Sequence, residues 1–323
     1  MIGKVTKKAF MTVCLICLSL AIVPALAFSW GDATHVYISD RLKAQWGYNN
    51  INEMWGSLGP DIFNFVFDPA LCPVWLADQT HADSFMKVWD KADTTSEKAL
   101  AYGFVSHNEA WGADHTAHVS GRTFGQDYGY INEKAMVLLD TPITPAYPTF
   151  GEIFASIGMD PDQQLMVAHV IAEYAIDIML RNDVDPLIGL KIKVAALARS
   201  KKFPALLVDA YAADYASNCP GIDYPTAAYV IVSAEEEYRN GMISYGKYIS
   251  RSEPVAVQLI AKQIVELAPG FLGGPLPIPE ADAIELVKAA IYVSMEICDD
   301  YMTEINATIE YVDSNLITNG ITY

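Results

Sequence analysis

The feature that most constrains this chain is the recurrence of apolar residues at three- and four-residue steps, with almost no alternating run. Segments near 33–46, 77–91, 95–119, 160–181, 187–199, 223–247, 251–267 and 281–314 all carry it, and that period is the signature of helices burying one face. Capping chemistry supports several starts. Thr94 stands three residues before Glu97, and Pro279-Glu280 opens the last long segment. The stretch from Pro269 to Pro279, with four prolines and a Gly273-Gly274 pair, reads as a loop closely flanked by helices. Hydrophobic residues make up 52% of the chain, enough for a sizeable core. The expectation is an all-α fold, a single multi-helix domain over 30–323.

Residues 1–29 are set apart from that domain. Lys4, Lys7 and Lys8 precede an apolar run from about Ala9 to Ala27, and small residues then offer cleavage after Ala27 or after Ser29. This is the build of a secretory signal peptide, and it predicts an exported protein, periplasmic or secreted, with no transmembrane anchor left after processing. Cleavage after Ser29 would make Trp30 the first mature residue. Cys14 and Cys17 fall inside the leader, leaving Cys72, Cys219 and Cys298 for at most one disulfide. The sequence does not choose the pair.

Removing the three leader lysines takes the formal net charge from −18 to −21. Such a surface repels polyanions, so a nucleic-acid substrate needs metal ions to supply local positive charge. Zwitterionic or uncharged headgroups are met more easily.

Six histidines carry the chemistry, and none follows His169. His107, Trp111, Asp114 and His118 succeed one another at steps of four, three and four, which puts them on one face of a helix. His169, Glu173 and Asp177 do the same on a second helix, among Val167, Val170, Ile171, Ala175 and Ile176. Ligand-type polar residues on a stripe that should be apolar are costly unless something satisfies them, and a cation does. Upstream lie His35, Asp61 and His81. Imidazole and carboxylate donors together favour zinc over calcium or magnesium.

In order, Trp30-Gly31-Asp32-Ala33-Thr34-His35, Gly59-Pro60-Asp61, His81, His107 with Asp114 and His118, and His169 followed four residues on by Glu173 resemble the ligand series of the bacterial zinc-dependent phospholipase C family. That family shares its fold with single-strand-specific zinc nucleases. The resemblance runs from Trp30 to about Asp177 and leaves the C-terminal part unmatched. It implies two to three zinc ions. Trp30, through a free amino terminus, and His35 would hold one; Asp61, His81 and His107 a second; His118, His169 and Glu173 a third. Asp61 is also the matched general base. The family places an aspartate one turn after the histidine matched by His107, where this chain has Trp111. Asp114 is the substitute, although seven residues of straight helix rise about 10.5 Å, so sharing an ion with His107 requires a break, for which Gly112 is the candidate. His115, one position off the stripe, is an extra ligand or an outer-shell partner.

The implied activity is hydrolysis of a phospholipid or other phosphodiester by metal-activated water. Thr34 and Glu173, together with the Gly59-Pro60-Asp61 turn, favour the phospholipase side over a zinc-dependent nuclease or nucleotidase. The third reading is a non-catalytic exported metal-binding protein, motivated by Trp111.

Overall fold

A computed structural model describes residues 30–323; the expected leader and both of its candidate cleavage points lie outside them. The periodic segments fold as helices: α1 (Asp32–Leu42), α2 (Tyr48–Gly56), α3 (Pro73–Asp78), α4 (Met86–Lys91), α5 (Thr95–His107), α6 (Tyr130–Asp140) and α7 (Phe150–Ser156). They continue with α8 (Pro161–Asp183), α9 (Ile188–Ala198), α10 (Phe203–Asn218), α11 (Tyr224–Ile249), α12 (Glu253–Leu272), α13 (Glu280–Ile297) and α14 (Tyr301–Thr318). Among the described residues there is no strand, only an isolated bridge between Pro142 and Thr149. The fold is all-α, and no described helix is long and apolar enough to cross a membrane.

Three expected segments are interrupted, and two of the breaks matter. The 77–91 stretch passes through a π-helical turn, Gln79–Asp83, which carries His81. The 95–119 stretch stops being a helix at His107 and resumes as a π-helical turn at His115–Val119, which ends in His118 and Val119. Asn108 stops it: its Nδ2 turns back to donate to Val105 O at 2.6 Å, and its Oδ1 accepts from Trp111 N at 2.8 Å. Gly112 then folds onto the end of α5, where an added Cβ would stand 2.5 Å from His107 C and Asn108 N. The third break divides the last segment into α13 and α14 around Cys298–Asp300.

Conversely, α12 runs through Pro269 to Leu272, so the loop is shorter than expected. The amides of Gly273 and Gly274 cap it at Pro269 O. Capping at α5 matches expectation: Thr94 and Glu97 form a reciprocal capping box.

Close backbone contact sets the core. Gly56 of α2 and Gly103 of α5 face each other's helix so tightly that a Cβ would fall 2.0 Å from Leu100 O and 1.9 Å from Glu53 O, respectively. This approach delivers Ser57 O to His107. α9 and α10 pack on α11, α6 packs on α8, and α13 lies against α8 and α12. Cys72, before α3, is bonded to Cys219 at the end of α10, while Cys298 is free and buried. The bond spans 147 residues, which in the chain-entropy account removes on the order of 4–5 kcal/mol of unfolded-state freedom.

Candidate metal centre

The histidines are aimed by what holds their Nδ1 atoms. His107 Nδ1 lies 2.7 Å from Ser57 O, and His81 Nδ1 2.9 Å from Ala77 O. His118 Nδ1 lies 3.2 Å from Glu109 Oε1, and His169 Nδ1 2.9 Å from Asn132 Oδ1. Each partner is an acceptor, so Nδ1 carries the proton and Nε2 is the metal-facing atom of the neutral ring.

Five side chains then converge. His35 Nε2 is 3.1 Å from Asp114 Oδ1, and His107 Nε2 is 2.8 Å from Asp114 Oδ2. His81 Nε2 stands 3.3 Å from Asp61 Oδ1 and 3.9 Å from Asp114 Oδ2, while His107 Nε2 is 3.7 Å from Asp61 Oδ1. The His35 and His107 rings stack at 3.9 Å between centroids. All five residues are buried, with His107 and Asp114 at 0% exposure. These donors form two overlapping groups, His35 with Asp61 and His107, and His81 with His107 and Asp114.

A second cluster sits beside the first. His118, His169 and Glu173 offer donor atoms within 4.8 Å of one another. His169 Nε2 lies 2.8 Å from Glu173 Oε1 one turn along α8, and the two imidazoles are 5.1 Å apart.

The residues fit metal ions. His107 Nε2, His118 Nε2, Glu173 Oε1 and both oxygens of Asp114 are buried without a hydrogen bond, even where a neighbour is within 3 Å. Buried polar atoms left so are costly. The protonation pattern agrees. Burial alone would lower His107, but Asp114 and Asp61 outweigh it and push His107 up to about 9. Burial would raise Asp114, but His107 and His35 hold it well below the usual carboxylate range. Burial, reinforced by Asp61, raises Asp32 to about 8 and Glu173 well above its ordinary value. Without a cation, protons must neutralise this cluster; a metal ion replaces them.

The placement corrects several expectations. Asp114 reaches His107 because the helix ends there, and the break lies at Asn108 with Gly112 inside the reversal. Trp111 turns its ring edge-on to Phe85 at 5.5 Å. His35 is grouped with Asp61, His107 and Asp114 rather than standing apart with Trp30. The Trp30 indole is buried, donates Nε1 to Ala113 O and Thr116 Oγ1, and stacks on Tyr130, pinning the segment that carries Asp114. Its role as an amino-terminal ligand depends on the cleavage point, outside the described residues. His115 belongs to neither donor group: its Nδ1 meets Glu109 O and its ring stacks on Tyr311. Asp177 is likewise outside both groups. It accepts from Ala33 N, Thr34 N, Thr34 Oγ1 and Tyr245 OH, fastening the start of α1 to α8.

Glu109 and Asn132 escaped the sequence reading. Glu109 lies in the ligand-dense stretch between His107 and His118, a usable signal, whereas Asn132 sits on α6, whose helix went unread.

The cluster opens on a cleft. Asp32, Asp61 and Glu173 line its acidic end; Met166, Val167 and Val170 of α8 and Ile264, Leu267 and Leu272 of α12 form a hydrocarbon wall. No described lysine or arginine lines it. No family model, curated protein or solved structure matches this chain.

Proposed function

We propose that this chain is an exported zinc-dependent phosphodiester hydrolase that cleaves phospholipids at the headgroup phosphate, in the manner of the zinc-dependent phospholipase C family it resembles. The observation that carries the reading is the meeting of a buried histidine–carboxylate cluster with a cleft that is acidic at one end and hydrocarbon along its wall. Nitrogen and oxygen donors in a closed, buried setting suit zinc. No described lysine or arginine lines the cleft, so metal ions would supply the positive charge that meets a phosphate there. The hydrocarbon wall suits a lipid better than a nucleotide.

Asp114 presents Oδ1 to His35 and Oδ2 to His107 and His81, so it would be shared by two ions, with Asp61 completing the set. His118, His169 and Glu173 would hold the third. Bound zinc supplies an acidified water and charge neutralisation at the phosphate. Asp61 lines the cleft and its Oδ1 accepts from Asn64 Nδ2 at 2.8 Å, a contact that would orient the carboxylate to accept the proton of an attacking water. Asp114 among the donors weighs against the non-catalytic reading, because it stands where Trp111 cannot. The Cys72–Cys219 bond and the leader both suit an oxidising compartment, periplasm or medium.

The test is metal content by plasma mass spectrometry on purified mature protein with a sequenced amino terminus, beside a His118→Ala variant, with hydrolysis of phosphatidylcholine and single-stranded DNA measured on both. Two to three zinc ions, one fewer in the variant, and turnover of the lipid are expected. Little tightly held metal would end the enzymatic reading; turnover of DNA alone would transfer it to a nuclease.

A further inference from the structure

The segment 187–199 folds as α9, and this helix is apolar on both sides. Its inner face, Ile188, Gly189, Ile192, Ala195 and Ala196, is buried where α9 packs on α1, α2 and α11. At 3.6 residues per turn the opposite face carries Leu187, Leu190, Val194, Leu197 and Ala198. A surface helix ordinarily turns charged and polar residues outward; here the outward stripe is aliphatic. Leu187, Leu190 and Leu197 are between 50% and 60% exposed, and among the described residues no other leucine is exposed. Three leucines on one stripe form a patch, unlike the singly scattered apolar side chains of an ordinary surface.

The charges beside the stripe run against the rest of the molecule. The whole chain has 21 basic and 39 acidic residues, yet residues 186–208 hold five basic ones and no acidic one. Lys191 and Lys193 border the stripe on its two sides. Lys191 Nζ is held by Asp40 Oδ2 at 2.7 Å and Asp185 Oδ2 at 2.6 Å. Lys193, and Lys201 just past the helix, make no ion pair among the described residues. On the Lys191 side, Asp40 also holds Lys43 at 3.2 Å, and Lys43 Nζ lies 4.3 Å from the centroid of the Trp46 ring. Trp46 is 80% exposed, more than any other large apolar side chain described.

We infer that this face docks on an anionic lipid bilayer, with the α9 leucines and Trp46 entering the boundary between headgroups and acyl chains. A helix lying in that plane buries its aliphatic stripe, while lysine stems at the margins reach back to the headgroups. Tryptophan is at home at that depth, and unpaired lysines such as Lys193 and Lys201 are drawn to anionic lipid. A protein partner suits the face less, because protein interfaces favour aromatic and arginine anchors and are poor in lysine. A second copy in twofold contact would set lysine against lysine between two chains of formal net charge −18. The face is separate from the cleft. Asp32, at the start of α1, lines the cleft, and Asp40, near its end, holds Lys191; the rise between them is about 12 Å. The inference therefore needs neither the metal donors nor hydrolysis.

The probe is vesicles without phosphate: one part sulfoquinovosyl diacylglycerol, whose headgroup is an anionic sulfonate, to two parts uncharged digalactosyl diacylglycerol, beside vesicles of the galactolipid alone. Neither lipid is a phosphodiester, so adsorption is read apart from any activity. In co-sedimentation, zinc-loaded mature wild type should partition onto the anionic vesicles about tenfold or more above the neutral ones, and less as salt is added. Leu190→Glu and Leu197→Glu should each lower that partition about tenfold or more. The pair Lys193→Gln and Lys201→Gln should remove most of the preference for anionic vesicles. Tyr147→Glu, at an exposed aromatic in the loop between α6 and α7, should stay within about twofold of wild type. Both leucines are exposed, so the variants should melt with the wild type, and either one that folds carries the test. Wild-type adsorption that is absent, or that neither leucine variant lowers, would overturn the inference whatever the phospholipid assays give. A dimer in sedimentation equilibrium that a leucine variant dissociates would assign the face to a second copy and overturn it as well.

Discussion

His81 and His107 take their orientation from backbone carbonyls, Ala77 O and Ser57 O, whereas His118 and His169 take theirs from side chains, Glu109 and Asn132. The first pair lies in the sealed group with His35, Asp61 and Asp114. The second lies nearer solvent, with the Glu109 side chain 31% exposed and that of His118 10% exposed. A carbonyl cannot be exchanged without moving the chain that bears it, so the sealed group is as rigid as the α2–α5 packing behind it. A side-chain acceptor can be altered alone. The outer group is therefore where metal affinity can be adjusted without disturbing the fold, and where an ion can leave without unsealing the core.

The largest effect expected is at the sealed group. Asp114→Ala removes both oxygens that face His35, His81 and His107 and leaves Asp61 as the one carboxylate of that donor group. Metal affinity there should fall by more than the roughly 10–100-fold typical of losing an outer-shell partner, with hydrolysis lost alongside. An ion held, as proposed, by His118, His169 and Glu173 should stay. Metal titration against a competing chelator separates the two populations; simultaneous loss of every ion would show that the two groups bind as one unit and would break the comparison.

A smaller and more selective change is expected at the outer group. Asn132→Ala or Glu109→Ala should weaken one equivalent by about 10–100-fold and leave the others alone, with Glu109→Gln, which keeps an acceptor oxygen, close to wild type. The competition titration sharpens the comparison if one affinity moves and refutes it if all move together or none does.

How much of this was legible in the sequence follows from where periodicity applies. Helix type and the ligand types showed because His169 and Glu173 fall one turn apart on a regular helix, and that geometry was kept. The path from His107 to Asp114 was not legible, since period reports spacing along an unbroken helix and Asn108 ends it through bonds to Val105 and Trp111 that no stripe records. α10 went unread because Ala205, Ala212 and Ala216 on its other side blur the stripe that its buried Phe203, Leu206, Leu207, Ala210, Tyr211 and Tyr215 form at three- and four-residue steps. Asp177 looked like a ligand because it continues the stripe of His169 and Glu173. Its oxygens serve the start of α1 instead, a contact 144 residues away in sequence.

The smallest expected effect is on stability against pH in chelator-treated protein, and its sign follows from the shifted groups. Asp32, raised from 3.8 to about 8, and His107, raised from 6.5 to about 9, both bind protons more tightly folded than unfolded. Each therefore favours the fold at low pH and loses that contribution as pH rises through its folded value. Asp114, lowered, and His35, also lowered, act in the opposite sense, but their contributions are complete once pH exceeds their unfolded values near 4 and 6.5. Between pH 6.5 and 9 only the losses remain, so the metal-free protein should become less stable across that window. Zinc should abolish most of the slope, because the ions replace the protons being lost. Tm measured at pH 6.5 and 9, with and without zinc, tests this; a metal-free Tm that is flat or rising would mean that the buried donors do not share their protons. The share of the slope lost in His107→Ala belongs to the sealed group and the share lost in Glu173→Gln to the outer one. A slope that disappears wholly in either variant alone would place all of the stored proton affinity on one side of the comparison.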